Sequence, residues 1–453
     1  MNESPSPACG GGLGWGLVAK ILSQHPNTPF PTFPRERGKG QKPENPMDIR
    51  PILSTLRRHK TAAALIVLEI ALSCAIICNA VFLISQRLER MHRPTGMADA
   101  ELVRINTAGI GKSDDPTALA RRDLAALRAI PGVKAATALN HVPFDGSSWN
   151  STVTLEPDQD VPNLIATTYL GEQLVDSLGL RIVEGRDFTT DEYVDWEAFN
   201  KPNSKLTIPA VILTRDVAQK LFPGQSAVGK LVYSWNSNEV PHRVVGVVER
   251  LIRPRDFDSP AEAGYSILLP LRDTTMGRYV LRTDPDRRAE VQQAAIAALE
   301  KNSNRRIILD QGTFTEVMAK YYQSDRNMAW LLVAVIVALL VVTALGIVGL
   351  ASFWVQQRTK QIGIRRALGA TRGQILRYFQ TENFLLATLG IVLGMVGAYG
   401  INQLLMGAYE LPRLPLAYLP IGALALWLLG QLSVLGPARR ASAVPPAVAT
   451  RSV

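Results

Sequence analysis

The chain has 453 residues, and only 19% of them are charged, whereas soluble domains usually carry about 25%. The deficit lies in four nearly charge-free stretches, which indicates a membrane protein. A formal net charge of +10 could suggest a nucleic-acid partner, but the Lys and Arg residues cluster beside the apolar stretches. Because such clusters are the usual topology signal of membrane proteins, we infer no nucleic-acid partner.

Residues 1–46 are rich in Pro and Gly and show neither a helical nor a strand period, so we predict a disordered tail. Met47 opens a more ordinary start, and the segment before it is also interpreted as an upstream mis-start. The cysteines are Cys9 in the tail and Cys74 and Cys78 in the first apolar stretch. Since the large middle region has none, disulfide bonds are excluded there.

Four apolar segments are each long enough to cross a hydrocarbon core of about 30 Å as helices. The first contains Glu69 as its only charged residue, and the second and third contain none. The fold class predicted is therefore a membrane protein with four transmembrane α-helices. The segments are Thr61–Ile84, Met328–Trp354, Phe384–Met406 and Leu416–Leu435.

The basic residues of the short segments indicate orientation, because Lys and Arg stay on the cytoplasmic side. Three basic segments fall on one side of a four-span chain: the lead-in to span one, the loop between spans two and three, and the C-terminal segment. We predict a multi-pass protein of the bacterial cytoplasmic (inner) membrane with both termini cytoplasmic. The residues are Arg50, Arg57, Arg58, Lys60, Arg358, Lys360, Arg365, Arg366, Arg372, Arg377, Arg439, Arg440 and Arg451.

The large insert between spans one and two is then extracytoplasmic, and its mixed helix and strand patterns favour an α+β domain. The predicted helices are Leu119–Ile130, Val217–Phe222 and Asp286–Lys301, and the predicted strands are Val211–Leu213, Leu231–Ser234 and Arg243–Val248. Four parts result: the tail 1–46, the lead-in and first helix 47–84, the insert 85–327, and a membrane domain 328–453 that includes an elbow at 357–382.

No catalytic, cofactor-binding or metal-binding constellation is visible in the sequence. The five histidines are widely scattered, and no pair has the spacing of a helical metal site. The run Gly224–Lys230 imitates a phosphate-binding loop, but Leu231 stands where the Mg²⁺-binding hydroxyl belongs and a strand follows instead of a helix. We interpret it as a turn between a helix and a strand.

Glu69 is the most informative single residue, because placing an ionisable side chain inside a membrane span costs roughly 2.5–3.5 kcal/mol on insertion scales. One interpretation is a polar contact at a helix interface or in a substrate path. The other is a carboxyl group that bonds a neighbouring polar side chain and holds the helices together. Candidate bonding partners are Thr343, Asn383, Gln403 and Gln431.

The third span carries Gly390, Gly394 and Gly397 on one face, which suits close helix packing. The partner helix could belong to this chain or to a second copy.

The elbow at 357–382 should contain two helices. Gly369 stands where a helix end favours glycine, and Thr371–Gln374 matches a capping box that starts a new helix. A short amphipathic helix, Arg358–Leu368, is therefore predicted to leave span two, and a second begins near Arg372. The pattern fits either a helix resting on anionic lipid or a docking helix for a soluble partner.

The elbow sequence Gln357–Ile375 closely resembles the signature that follows the second span of MacB/FtsX-type ABC transporter permeases. The blocks Gly179–Phe188, Ala218–Lys230 and Val244–Val248 are similar to that family's outer domain and occur in the expected order. The Pro437–Ala441 and Pro446-Ala447 pieces resemble its ending. The resemblance covers Met47 to the end, which makes 85–327 MacB-like and 328–453 FtsX-like.

The resemblance implies a permease without its own ATPase site, which works as a homo- or heterodimer with a second permease chain. ATP and Mg²⁺ would bind a separate cytoplasmic ABC ATPase, and its closure would move the periplasmic domains. Substrates would be antimicrobial peptides, macrolides or lipoproteins, with a periplasmic adaptor and an outer-membrane channel as further partners. Docking would involve Ile362, Gly363, Arg365, Arg366, Leu368 and Gly369.

Two other functions remain open at this stage. In the first, the chain resembles FtsX in role and regulates an extracytoplasmic cell-wall hydrolase without transporting anything. In the second, it is a membrane sensor or scaffold without an ATPase, which would leave the elbow no task beyond binding lipid.

Overall fold

The computed structural model describes residues 60–110, 115–144, 146–157, 159–234, 240–254, 260–272, 275–409 and 413–445. The predicted tail 1–46, the basic lead-in and the Pro446-Ala447 ending lie outside these residues. The helices are α1 (Lys60–Met91), α2 (Pro116–Arg128), α3 (Leu174–Leu178), α4 (Trp196–Phe199), α5 (Arg215–Leu221), α6 (Arg288–Asn302), α7 (Phe314–Tyr321), α8 (Gln323–Gln357), α9 (Thr359–Ala367), α10 (Arg372–Tyr409) and α11 (Leu419–Ala443).

The strands all belong to the insert between α1 and α8. They are β1 (Leu102–Gly109), β2 (Val133–Ala138), β3 (Asn150–Thr154), β4 (Leu164–Leu170), β5 (Ile182–Gly185), β6 (Val194–Asp195), β7 (Ala210–Thr214), β8 (Leu231–Ser234), β9 (His242–Val248), β10 (Ser266–Leu269), β11 (Leu271–Arg272), β12 (Arg278–Thr283) and β13 (Arg306–Thr313).

Four helices of the described chain, α1, α8, α10 and α11, are long and apolar enough to cross a membrane. They contain the four predicted spans, so the predicted fold class is confirmed. On the side of the insert, two of them extend beyond the predicted spans: α1 continues past Ile84 to Met91, and α8 begins at Gln323, before the apolar run from Met328. These extensions carry the insert on two helices that project beyond the apolar segments.

The first sheet of the insert has the strand order β13-β1-β12-β2, with every neighbouring pair antiparallel. The connections β1-α2-β2 and β12-α6-β13 interleave, which is a split βαβ arrangement. Helices α2 and α6 cover one face through buried apolar residues such as Leu127 and Leu299. Within this core Asp123 is fully buried, and it is satisfied by Tyr279, Asn302 and Arg306.

The second sheet has the order β5-β9-β7-β10-β4-β3-β8, and β8 also pairs with β9. Six of its strands therefore close into a small barrel, which removes the free edges that an open sheet would expose. The interior is filled by branched residues such as Val211, Leu213 and Val244. A third cluster, which includes Leu102, Tyr169 and Phe314, packs the two sheets and α7 together.

The predicted elements of the insert correspond to α2, α5, α6, β7, β8 and β9 with small shifts at their ends. The run Gly224–Lys230 lies in turns between α5 and β8, as interpreted from the sequence. Its lysine side chain packs over the ring of Phe222, 4.5 Å from the centroid. The lysine side chain therefore makes a local contact within this turn.

His141 is a buried titratable residue that lies beside the third cluster. Its ring centroid is 4.4 Å from that of Tyr169, and neither ring nitrogen has a hydrogen-bond partner among the described residues. Burial, and then the charge of Arg278, lower the pKa of His141 to about 3. The imidazole is therefore neutral in the folded domain across the physiological range.

This burial predicts acid sensitivity. Above about pH 6.5 His141 is neutral in both states and contributes no pH dependence. As the pH falls further, the unfolded chain takes up the proton and the folded chain does not until about pH 3, so stability falls by about 1.4 kcal/mol per unit. We expect a loss of about 2 kcal/mol at pH 5 relative to pH 7.

The check is thermal unfolding of the full-length chain in detergent at pH 7 and pH 5. His141→Leu should remove the part of the pH-dependent shift in Tm that this residue causes. An equal shift in the wild-type chain and the variant would show that His141 is not its source.

Candidate functional site

The elbow joins α8 to α10 through the short helix α9, as the sequence predicts. Gly369 ends α9 with a positive φ of 100°. The Gly369 and Ala370 amides donate to the carbonyl oxygens of Arg366 (3.1 Å) and Arg365 (3.0 Å), respectively. This is the Schellman pattern, in which a glycine beyond the helix satisfies the last carbonyl groups. A side chain at Gly369 would strain the turn that separates the two helices.

The start of α10 is fixed by the predicted capping box. The Thr371 hydroxyl accepts from the Gln374 amide (3.3 Å), and the Gln374 side chain accepts from the Thr371 amide (2.9 Å). Two free amides at the helix N-terminus are thereby satisfied. The elbow is therefore held at both ends of its turn by local hydrogen bonds.

A buried ion pair, which sequence analysis missed, ties the two long helices together at the elbow. The Arg358 guanidinium, just after α8, donates to both carboxylate oxygens of Glu382 on α10, at 3.1 and 3.0 Å. Glu382 is only 2% exposed, and Arg358 also lies 5.6 Å from the ring centroid of Trp354. Because both charges are buried and mutually satisfied, α8 and α10 are joined rigidly at this point.

The six predicted docking residues fall into different environments. Ile362 and Gly363 are buried against the membrane helices, and the Arg366 guanidinium donates to the Val444 carbonyl oxygen (2.5 Å). Leu368, in contrast, is 84% exposed, and Ile364 on the same face is 48% exposed. The last two, Arg365 and Gly369, are also exposed, and Arg365 lies over the ring of Tyr378 (5.2 Å).

The glycine stripe of α10 packs against α1 of the same chain, which decides the alternative left open by the sequence. An ideal Cβ on Gly394 would lie 2.5 Å from the Cys74 Cβ and 2.6 Å from the Ala71 carbonyl oxygen. One on Gly390 would lie 2.8 Å from the Ile70 Cβ, whereas the nearest atom to one on Gly397 is 3.9 Å away. The two helices therefore come closest at Gly394.

Glu69 lies on α1 and faces Gly346 of α8, where an added Cβ would be 2.5 Å from its carboxylate. None of the four partners suggested from the sequence bonds it: Thr343 bonds Ser73 (2.8 Å), the Gln431 amide donates to the Gln380 carbonyl oxygen (3.4 Å), and the described structure has no bond from Glu69 to Asn383 or Gln403. Within the described chain Glu69 has no hydrogen-bond or ion-pair partner. The small residue opposite it leaves the carboxylate room between two helices.

The other end of α1 and α8 carries a second polar contact that the sequence did not reveal. Arg87 forms an ion pair with Asp325, and an Arg90 nitrogen lies 3.9 Å from the same carboxylate. Asp325 is buried although it lies at the first turn of α8. We call Arg87, Arg90 and Asp325 the clasp, because they hold the two helices together where these leave the apolar spans.

Among the described residues, no group of three or more His, Cys, Asp or Glu side chains could hold a metal ion.

Comparisons with known proteins give the class of the chain. Residues 63–299 match the family described as MacB-like periplasmic core domain, and residues 333–446 match the one described as FtsX-like permease C-terminal. With four helices able to cross a membrane, the molecule is a multi-pass permease of the ABC transporter class. The chain belongs to the MacB/FtsX-type permease family.

Relatives differ in how much of their length this chain covers. An uncharacterized ABC transporter permease of Bacillus subtilis, YknZ, is 24% identical over 418 residues, which is 89% of this chain and 98% of that protein. The macrolide export ATP-binding/permease protein MacB of Chromobacterium violaceum is 27% identical over 279 residues, 59% of this chain. The chain thus spans only 40% of that MacB.

Two solved structures are similar to parts of the chain. The extracellular domain of YknZ shares 18% identity, with 46% of this chain and 100% of that chain covered and a TM-score of 0.29. The periplasmic region of MacB from Actinobacillus actinomycetemcomitans shares 17% identity, with 52% and 98% covered and a TM-score of 0.31.

Proposed function

We propose that this chain is the membrane subunit of an ABC-type export complex of the inner membrane. A separate cytoplasmic ATPase, which binds the ATP and Mg²⁺, docks on the elbow, and both termini of the permease lie on the same side. The insert then lies outside the cytoplasm. The basic residues that flank the spans on the elbow side support this orientation.

The observation that carries the proposal is the exposed apolar face of α9 beside a rigid joint. Leu368 and Ile364 point away from the membrane helices, while Ile362 anchors α9 to them. The Arg358–Glu382 pair fixes the elbow to α8 and α10. A partner that moves α9 therefore moves both long helices, instead of bending a loop.

The long helix α8 provides a path from the elbow to the insert. Its 35 residues span about 50 Å at 1.5 Å per residue. At its far end the clasp couples it to α1, and α7 connects it directly to β13. We infer that motion at the elbow reaches the insert as movement of these two clasped helices. The ATPase would thus drive the outer domain mechanically.

A second permease chain completes the proposed complex. The apolar residues of α8, among them Leu331, Val342 and Leu345, are exposed along most of its length. A second copy or a paralogue would cover part of that surface. One relative is named for macrolide export, and we propose that this complex exports an amphiphilic or peptide-like cargo. A periplasmic adaptor and an outer-membrane channel would be further partners.

The test is co-purification of the ATPase from native membranes. Replacing Ile364 and Leu368 together with aspartate should reduce the recovered ATPase at least tenfold, because two charges would face an apolar contact. The control is Ile110→Asp, which places one aspartate at an exposed isoleucine of the insert. Full ATPase recovery with the double variant, or none with the wild-type chain, would contradict the proposal.

Arg366 is left unchanged in this experiment because its guanidinium bonds Val444, so a substitution there would disturb the fold of the elbow itself. Transport of a fluorescent amphiphile by vesicles that hold the complex then separates an exporter from an FtsX-like regulator. A complex that docks the ATPase but moves no cargo would favour the regulator.

A further inference from the structure

A groove of about 550 Å³ lies between α1, α7 and α8, where the insert meets the membrane helices. Each helix contributes residues about one turn apart to the walls. The groove is separate from the elbow and from the clasp. It is lined by Ile84, Leu88, Met91, His92, Thr315, Met318, Ala319, Tyr322, Arg326, Ala329, Trp330 and Val333.

One end of the groove adjoins the hydrocarbon region. Ile84 closes the predicted first span, and Val333 lies inside the apolar run of α8. From Ile84 to His92 the wall formed by α1 rises about 12 Å. The groove is therefore continuous with the membrane at one end and extends outward along the projecting helices at the other.

The walls stay apolar from the outer end of the second span, where Trp330 lies, to the part of α1 that projects beyond Ile84. Leu88 is 43% exposed and Trp330 is 72% exposed, and Met318 of α7 faces the same space. Exposed apolar surface that is continuous in this way usually marks a binding site. A tryptophan at this level also matches the aromatic residues found at membrane–water interfaces.

The outer end of the groove carries the Arg326 guanidinium, which donates to the Ala319 carbonyl oxygen (2.6 Å) in the groove wall. Arg326 lies there with His92, and the lining residues include no Asp or Glu. The nearest acid along α8, Asp325, is engaged by Arg87 and Arg90 in the clasp. An apolar channel from the membrane with a cation at its outer end complements an acyl chain attached to an anionic headgroup.

We propose that this groove binds an anionic phospholipid from the outer leaflet, with one acyl chain between α1 and α7 and its phosphate beside Arg326. The chain would run down past Leu88 and Met318 and rejoin the hydrocarbon at Ile84. The lipid would cover the apolar walls and brace the junction between the insert and the spans. This site does not depend on ATPase docking.

The experiment measures tryptophan quenching by brominated lipid. The full-length chain is reconstituted in phosphatidylcholine vesicles that contain brominated phosphatidylglycerol or brominated phosphatidylcholine. The signal of Trp330 is obtained as the difference between the chain and its Trp330→Phe variant. We expect phosphatidylglycerol to quench this signal at about fivefold lower mole fraction, the ratio that about 1 kcal/mol per charge gives.

Substitutions in the groove test whether the preference for phosphatidylglycerol arises there. Arg326→Gln should abolish the preference for phosphatidylglycerol, and Arg326→Lys should retain it. Ala319→Phe, which fills the groove, should reduce quenching by both lipids. Arg305→Gln is the matched control, because it removes an exposed arginine elsewhere on the insert and should change nothing.

Two outcomes would overturn the proposal. Equal quenching of Trp330 by both lipids would show only the general contact of a surface residue with the bilayer. Absence of quenching, together with cysteine cross-links between two copies at position 330, would show that a second permease chain covers the groove instead.

Discussion

Replacing Glu382 with leucine is expected to lower the free energy of unfolding of the membrane domain by about 3–5 kcal/mol. The variant leaves the Arg358 guanidinium buried without its carboxylate, beside Trp354 and away from water. Arg358→Met should cause a loss of similar size, because it isolates the buried carboxylate. The measurement is the unfolding midpoint in a titration with sodium dodecyl sulfate.

The double variant Arg358→Met with Glu382→Leu is the informative control. Two apolar side chains of similar length can pack where the pair lay, so most of the lost stability should return. An interaction energy of at least about 2 kcal/mol is expected from the double-mutant cycle. Strictly additive losses would mean that the two groups do not act as a pair.

The same cycle separates stability from coupling. If the pair transmits motion, the permease with both substitutions should fold and bind the ATPase. The activity of the bound ATPase should then no longer respond to substrate or lipid. A double variant that responds normally would assign the pair a structural role alone, and the coupling path would then run through the contacts of α9.

Local signals allowed the elbow to be predicted well from the sequence. Gly369 and the capping box at Thr371–Gln374 act within a few residues of each other, and both form as expected. Helical spacing also puts Ile375 and Phe379 on one face, where both are buried, and Ile364 and Leu368 on another, where both are exposed. The sequence could not tell which pair faces the protein, since periodicity shows a common face but not what covers it.

Long-range contacts were beyond the reach of the same reasoning. The clasp joins Arg87 to Asp325, two residues that the whole insert separates in the chain. Glu69 lies against Gly346 of α8, and the sequence around Glu69 does not show which helix packs there. The interleaved βαβ units were missed for the same reason, because β1 lies beside β12 and β13, which follow the entire barrel in the chain. Each prediction that failed needed knowledge of which elements are neighbours in space.

The glycine stripe was predicted as a packing face, and the structure now ranks its members. An alanine methyl at Gly394 would collide with the Ala71 carbonyl oxygen, which belongs to the backbone and cannot rotate away. At Gly397 the same methyl would make an ordinary contact at 3.9 Å with Ala75. The two positions lie one turn apart on one helix, so they share helix propensity, but Gly394 is buried against α1 and Gly397 is only partly buried.

Gly394→Ala is therefore expected to destabilise the membrane domain by about 1–3 kcal/mol, as overpacking of a close interface does. Gly397→Ala should change stability by less than about 0.5 kcal/mol, and Gly390→Ala should fall between them, because its closest backbone atom, the Val67 carbonyl oxygen, is 3.0 Å away. Unfolding midpoints of the three variants provide the test. Equal effects at all three positions would mean that α10 does not approach α1 most closely at Gly394, and that the stripe instead faces a partner outside this chain.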